Sequence, residues 1–260
     1  MTDGLYNVHL AKGQGMIPET ILLLNLWHPG VSSPELRDKV VAEGHLPKAT
    51  AYRASDIVSR VFAPRYLRHG DAPAQWLKAL VSRGWQTDRL SQVLLIYTAR
   101  ANLILRDFIS EVYWPHYRAG AHLIHRQEGA NFLKAASAAG KFRNQWSDAM
   151  QAKVVRYLFA SLADFRLLRN LPKNQREILP FTILQTTTAF LAYELHFAGM
   201  SDTSLLDHPD WALFGLDRFA VLQELRKISA HLMVQSAGDL VRISWTHKSM
   251  EDCIDGIALG

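Results

Sequence analysis

The sequence is poor in cysteine, with a single residue, Cys253, among 260. One thiol excludes a disulfide within the chain and any zinc site built on several cysteines. It also fits a reducing compartment such as the cytoplasm. Because Cys253 lies in an apolar stretch with no adjacent base, we expect a buried, unreactive thiol.

Long hydrophobic runs are missing as well. The longest stretch without a charged residue extends from Ile178 to Tyr193 and is interrupted by Pro180 and Gln185. A membrane-spanning helix needs about 20 mostly apolar residues. The first ten residues lack the basic start and apolar stretch of a secretory signal. The sequence therefore predicts a soluble, cytoplasmic protein that does not interact with a membrane.

Recognisable catalytic and cofactor-binding motifs are also lacking. The glycines of KGQG, Lys12 to Gly15, do not form a GxxxxGK[ST] phosphate loop, and no GxGxxG or GxSxG occurs. His116, His122 and His125 are close in sequence, but without a nearby carboxylate or cysteine they are expected to be structural or surface residues. We therefore predict a binding protein that is not an enzyme and uses neither cofactor nor metal.

Positive charge is present in modest excess and is unevenly distributed. Lysine and arginine number 29 against 24 acidic residues, and the isoelectric point is about 9.3. Between Lys48 and Arg68 the only acidic residue is Asp56. Clustered cations bind polyanions because neutralising phosphates releases counterions. The alternative is that these residues form an ordinary solvated helix face.

Apolar residues recur at helical spacing along most of the chain, which predicts an all-α, mainly helical fold. An N-terminal unit, residues 1–70, and a larger helical bundle, residues 71–260, are expected to pack together. Pro64 and Pro115 are predicted to end helices, because proline lacks the backbone N–H. The predicted helices cover residues 19–28, 34–44, 50–63, 73–80, 91–114, 127–138, 148–168, 179–198 and 217–232.

Three short helices in residues 1–70, the last two joined by a turn, indicate a helix-turn-helix-like unit. In that motif the N-terminal residues of the second helix of the pair face the bases. An ordinary three-helix packing unit is the alternative. The predicted DNA-binding residues of this unit are Lys48, Thr50, Tyr52, Arg53, Arg60, Arg65 and Arg68.

The C-terminal region predicts a β-hairpin, with HLMVQ and LVRISWT pairing around the four-residue turn SAGD. Alternation places Leu240, Arg242 and Ser244 on one face of the second strand and its other residues on the opposite face. Ser249 then begins a short helix. A helix followed by a hairpin is the layout of a winged helix, with Arg226, Lys227, Arg242 and Lys248 expected near the DNA backbone. Alternatively, the hairpin covers the helical core.

Three segments resemble a known family: GMIPETILLLNLW, ELRDKVVAEGHLPKATAYRASDIVSRV and VRISWTHKSMEDCIDGIA. They are similar to the opening and closing regions of the BrxA proteins of BREX phage-defence systems. The likeness extends over essentially the whole chain, and its C-terminal part is the most specific. No catalytic residue can be transferred from it.

The resemblance implies a helical DNA-binding accessory protein, similar in fold to the antitermination factor NusB. Such a protein would act beside a methyltransferase, an ATPase and other BREX components. Family members have also been described as inner-membrane proteins, which the short apolar runs of this sequence contradict.

Three functions therefore remain open. The first is double-stranded DNA binding within the defence complex. The second is a protein–protein scaffold, in which Trp76, Trp85 and Trp146 would be exposed interface anchors. The third is NusB-like RNA binding, which would favour unpaired bases.

Overall fold

The computed structural model describes residues 5–47, 49–172, 175–238 and 240–258, and it confirms the mainly helical fold class. The helices in chain order are α1 (Ile17–Leu26), α2 (Ser33–Ala42), α3 (Ala51–Asp56), α4 (Ala63–Tyr66), α5 (Ala72–Ser82), α6 (Thr87–Ala101), α7 (Leu103–Phe108), α8 (Trp114–Arg118), α9 (Arg126–Ala138), α10 (Asp148–Asp164), α11 (Gln185–Phe197), α12 (Asp202–Leu205), α13 (Arg218–Lys227) and α14 (Met250–Ala258). The strands are β1 (Leu123–Ile124), β2 (Leu168–Asn170), β3 (Arg176–Ile178), β4 (Leu232–Ala237) and β5 (Leu240–Trp245). Short 3-10 helices cover His9–Lys12 and Pro209–Phe214.

The described residues form two compact units. The N-terminal unit combines the chain up to Pro73 with Tyr97–Phe181, and the C-terminal unit combines Ala74–Ile96 with Thr182 onward. Helix α6 therefore contributes residues to both. The first segment of the N-terminal unit ends close to residue 70, but the division into domains 1–70 and 71–260 stays a prediction.

The two prolines predicted to end helices do not end them. Before Pro64 the chain widens into a π-helical segment, Ile57–Phe62, in which the N–H of Ala63 bonds to the carbonyl of Val58. A second π-helical segment, Ile109–Tyr113, precedes Pro115 in the same way. A proline ring clashes with the carbonyl four residues earlier in an α-helix. The wider π turn carries the helix past each proline, which explains why both predictions were wrong.

Other predicted helices also differ at their ends. The predicted helix 91–114 is interrupted at Asn102, whose buried side chain donates a hydrogen bond to the Thr98 carbonyl at 2.8 Å. The predicted helix 148–168 stops at Asp164, because Arg166 adopts a left-handed conformation. β2 follows and joins the unpredicted antiparallel sheet β1-β3-β2. The helices predicted to start at 179 and to end at 232 are shorter, as the bounds of α11 and α13 show.

The C-terminal hairpin is confirmed, with antiparallel register from Leu232 opposite Trp245 to Ala237 opposite Leu240. Its turn is two residues long rather than four. Gly238 has φ 59°, the left-handed conformation that two-residue turns favour. The predicted alternation also holds, because Arg242 and Ser244 are exposed whereas Ile243 is buried.

Buried contacts fix the hairpin to the C-terminal unit. Asp202 of α12 accepts hydrogen bonds from the Ile243 N–H at 2.8 Å and from the Trp245 indole at 3.2 Å. The Tyr193 hydroxyl accepts hydrogen bonds from the backbone N–H groups of Thr246 and His247, which follow β5. It donates a hydrogen bond to the carbonyl of His231, which precedes β4. These contacts show that the hairpin covers the helical core of this unit.

Candidate nucleic-acid interface

The predicted recognition helix begins at α3, which packs against α2. The connection between them, residues 43–50, is longer than the three or four residues of a helix-turn-helix turn. Thr50 is the N-cap of α3, and its side chain accepts a hydrogen bond from the Arg53 N–H at 3.2 Å. Tyr52 is 71% exposed at the first turn. Lys48 lies outside the described residues.

Two of the predicted arginines are directed inward. Arg53 donates to the carbonyl of Lys12. Arg65 is buried, and its guanidinium donates to the carbonyls of Gly13, Gln14 and Gly15 at 2.6, 2.7 and 3.2 Å. Burial lowers the pKa of Arg65 from its ordinary value. These contacts give Arg65 a structural role in holding the N-terminal loop.

The same contacts explain the glycines of KGQG. The N–H of Gly15 donates to the carboxylate of Asp164 at 2.8 Å. A Cβ at Gly15 would lie 2.5 Å from the Asp164 Cβ, and one at Gly13 would lie 2.8 Å from a Val61 methyl group. Only glycine allows the backbone to come this close. The glycines therefore serve close packing of the loop.

Arg60 and Arg68 lie on the outside of the N-terminal unit. Arg60 pairs with Asp56, with 3.1 Å between Nε and Oδ1, and Lys12 binds the second oxygen of the same carboxylate at 2.9 Å. Two cations therefore share one anion. Their surface remains positive.

Residues that the sequence analysis missed complete this surface. The backbone of Tyr6 bonds to Lys141 and to Arg143, which brings Arg143 next to the N-terminal segment. Partial burial, and then the charges of Arg143, Arg60 and Arg68, lower the pKa of His9. Arg68 and Arg143 line one cleft together with His9, and Arg60 lines a second cleft that also includes His9. Nothing in the local sequence pattern around Arg143 indicated this.

A cleft of about 610 Å³ opens within the N-terminal unit at this point. Its polar lining includes His9, Arg68, Arg143, Ser59 and Asp71. Asp71 also accepts a hydrogen bond from a backbone N–H, that of residue 30, at 3.2 Å. The cationic side chains outnumber the acidic one.

The predicted residues of the C-terminal unit do not form a single patch. Arg226 donates to the Ser236 hydroxyl at 2.8 Å, on the face of the hairpin opposite to Arg242. Lys227 pairs with Glu224 at 2.6 Å. Lys248 is exposed beside the start of α14, where its backbone N–H donates to Asp252. The hairpin therefore separates these cations.

The proposed aromatic anchors differ from the expectation. Trp85 is buried, with 2% exposure, and is not a surface anchor. Trp76 and Trp146 are half-buried and contact Phe190 and Phe142, respectively.

Large exposed apolar side chains occur elsewhere in the C-terminal unit. Phe219 is 70% exposed, Met233 61% and Leu240 75%. Met233 and Leu240 share the outer face of the hairpin. This face is therefore more apolar than a typical DNA-contacting wing.

The remaining reactive side chains have local explanations. Glu128 lies 4.0 Å from His116, so the expectation that these histidines have no nearby carboxylate is wrong. Among the described residues, however, no three or more histidine, cysteine, aspartate and glutamate side chains form a group that could hold a metal ion. Cys253 is buried, as predicted, and burial raises its pKa to about 12.

Over the described part of the chain, every helix is too short or too polar to cross a bilayer.

The family profile of BrxA matches residues 4–194, well over half of the sequence. The chain belongs to the BrxA family. This associates it with BREX phage defence, in a family that is not a known enzyme family. The match ends within α11 and does not reach the hairpin and α14, whose sequence we expected to be the most specific part of the resemblance.

A solved structure also resembles this BrxA-family chain. It is described as the crystal structure of an uncharacterized protein from Magnetospirillum magneticum, with a TM-score of 0.59 and 16% identity. The similarity covers 74% of this chain and 94% of that one, and it supports the fold alone. A comparison with curated proteins gives no match.

Proposed function

We propose that the chain is a non-enzymatic, double-stranded DNA-binding component of a BREX system, acting with the methyltransferase and ATPase components in the cytoplasm. The observation that carries the proposal is the cationic lining of two clefts of the N-terminal unit that share His9: Arg68 and Arg143 line one, and Lys12 and Arg60 line the other. Phosphate contacts by such side chains supply most of the affinity for DNA and little sequence preference.

The exposed side of α3 and the π-helical segment after it extends this surface. Tyr52, Ser59 and Arg60 all face solvent there. Thr50 and Arg53 support the helix start, and Arg65 holds the loop beneath it. We therefore assign phosphate contacts to Arg60 and Arg68, and a positioning role to Arg65. The proposal does not require Arg226, Lys227, Arg242 and Lys248 to act together.

Fluorescence anisotropy with duplex DNA, single-stranded DNA and RNA at about 50 and 200 mM salt tests this proposal. We expect duplex binding that weakens steeply with salt. Arg60→Ala and Arg68→Ala should each reduce the slope of log K against log salt by about 0.9. Arg118→Ala, which removes the same charge from another exposed position of this unit, is the control.

Duplex affinity that is equally insensitive to all three substitutions would refute the placement. A preference for single-stranded RNA would instead favour the NusB-like function.

A protein scaffold is the second candidate, and the exposed Phe219, Met233 and Leu240 favour it. Apolar groups this exposed are typical anchors of protein interfaces. Met233→Gln combined with Leu240→Gln should then weaken binding to the purified methyltransferase or ATPase component and leave duplex binding unchanged. Unchanged partner binding would contradict the scaffold role of this face.

A further inference from the structure

The cleft beside His9 has features that a general DNA-contacting surface does not need. Its volume of about 610 Å³ lies within the range of small-molecule sites, roughly 300–1,000 Å³. It combines Arg68 and Arg143 with apolar walls that include Val31 and Leu103. A site with cationic groups and apolar walls suits a ligand that carries both an anion and an apolar group, as a nucleotide does.

The charges of the lining indicate which anion fits. Arg68 and Arg143 outnumber the carboxylate of the cleft, Asp71, by one, and a bound dianion that draws a proton onto His9 raises the excess to two. A phosphate monoester carries a charge of about −1.5 to −2 at neutral pH, whereas an internal phosphodiester carries one. The monoester therefore neutralises the cleft more completely.

The framework of the cleft is fixed by contacts within the N-terminal unit. The bonds between Tyr6 and the segment at Arg143 close one side. The capping box of α2, in which Ser32 and Glu35 bond to each other, closes another. The backbone on both sides is therefore held in place before any ligand enters, which reduces the entropy lost on binding.

We propose that this cleft binds the phosphate monoester of a nucleotide, carried either by a free mononucleotide or by the 5′ end of a DNA strand. Arg68 and Arg143 hold the phosphate, and His9 donates a further hydrogen bond once it takes up a proton. The site would give the protein a ligand distinct from the internal phosphates of duplex DNA.

Isothermal titration calorimetry with dAMP and with deoxyadenosine tests the site directly. We expect dAMP to bind and deoxyadenosine not to bind. Arg143→Ala should weaken dAMP binding about tenfold or more, because a charge-assisted contact is lost. Arg143→Lys should restore part of it, and Arg118→Ala should have no effect.

The ring signals of His9 in NMR, assigned by their loss in His9→Gln, provide a second readout. Partial burial, and then the charges of Arg143, Arg60 and Arg68, disfavour the proton on His9 in the free protein, and Asp71 is the acidic group of the same cleft. A bound phosphate dianion should raise the pKa of His9. An unchanged His9 titration in the presence of saturating dAMP would count against the site.

Anisotropy with one duplex carrying either 5′-phosphate or 5′-hydroxyl ends distinguishes the two sources of the monoester. Preference for the 5′-phosphate duplex, lost in Arg143→Ala, identifies the DNA end as ligand. Binding of dAMP without that preference identifies a free nucleotide. Absence of both overturns the proposal, even if the 5′-hydroxyl duplex binds normally. Loss of duplex binding with dAMP binding retained refutes only the proposed DNA function.

Discussion

Substitution of Arg65 tests whether this residue binds DNA, as the sequence predicted, or holds the KGQG loop, as its contacts indicate. Arg65→Met keeps an unbranched side chain of similar length but removes the guanidinium that binds three backbone carbonyls. Hydrogen bonds to a charged group contribute roughly 1.5–3 kcal/mol each, but they are not additive, and charging a buried group has its own cost. We therefore expect Arg65→Met to lower the free energy of unfolding by about 3–5 kcal/mol.

Arg60→Met is the matched control, because it makes the same change on the same helix at an exposed position. Its pair with Asp56 has i,i+4 spacing, which is worth about 0.3–0.5 kcal/mol. Arg65→Lys keeps the charge but loses the planar fork, so its stability should be intermediate.

Urea denaturation followed by circular dichroism measures the loss, and anisotropy measures DNA binding by the folded protein. The Arg65 variant should keep the salt dependence of the wild type, whereas the Arg60 variant should reduce it. If Arg65→Met instead costs less than about 1 kcal/mol and reduces the salt dependence, Arg65 contacts phosphate and our assignment is wrong.

Two further predictions concern the packing of the units. Gly15→Ala should lower the free energy of unfolding, measured in urea, by about 1–3 kcal/mol, because the new Cβ would lie 2.5 Å from the Asp164 Cβ. The control, Gln14→Ala, should cost little. Equal effects of the two substitutions would contradict the packing argument. Burial, and then the charge of His247, lower the pKa of His231 below its ordinary 6.5. The folded state therefore binds this proton more weakly than the unfolded state does. The free energy of unfolding should therefore be highest above pH 6.5 and fall as the pH drops below it, and His231→Gln should flatten that profile. An unchanged profile in the variant would exclude His231 as the cause.

The sequence was most informative where the pattern is local. Alternation in the last strand predicted which of its residues share a face, and the hydroxyl of Ser249 does accept the Asp252 N–H at 3.1 Å. Exposed Tyr52 at the start of α3 also follows from helix position. Such features depend on a few neighbouring residues, so a single sequence contains the information.

Features that depend on distant contacts could not be predicted in this way. The basic pattern of 48–68 does not reveal that Arg65 is buried, because its partners lie in the KGQG loop. Arg143 reaches the candidate interface because two backbone hydrogen bonds join Tyr6 to Lys141 and Arg143. The sequence around these residues lacks the alternation that would predict such a pairing. Pro64 and Pro115 were predicted to end helices. The π-helical segments that carry the helix past them have no simple sequence signal, so this outcome could not be predicted.

The widened turn before Pro64 lets the helix hold one more residue than α-helical spacing would. A π-helical turn closes its hydrogen bonds over five residues where an α-helical turn closes them over four, so Ile57–Phe62 takes up the extra residue with little change in the direction of the helix on either side. Removing one residue there would return the segment to α-helical spacing, and the ring of Pro64 would then meet the carbonyl four residues earlier. The extra residue thus keeps the proline ring clear of the backbone in the same helix that presents Arg65 to the KGQG loop.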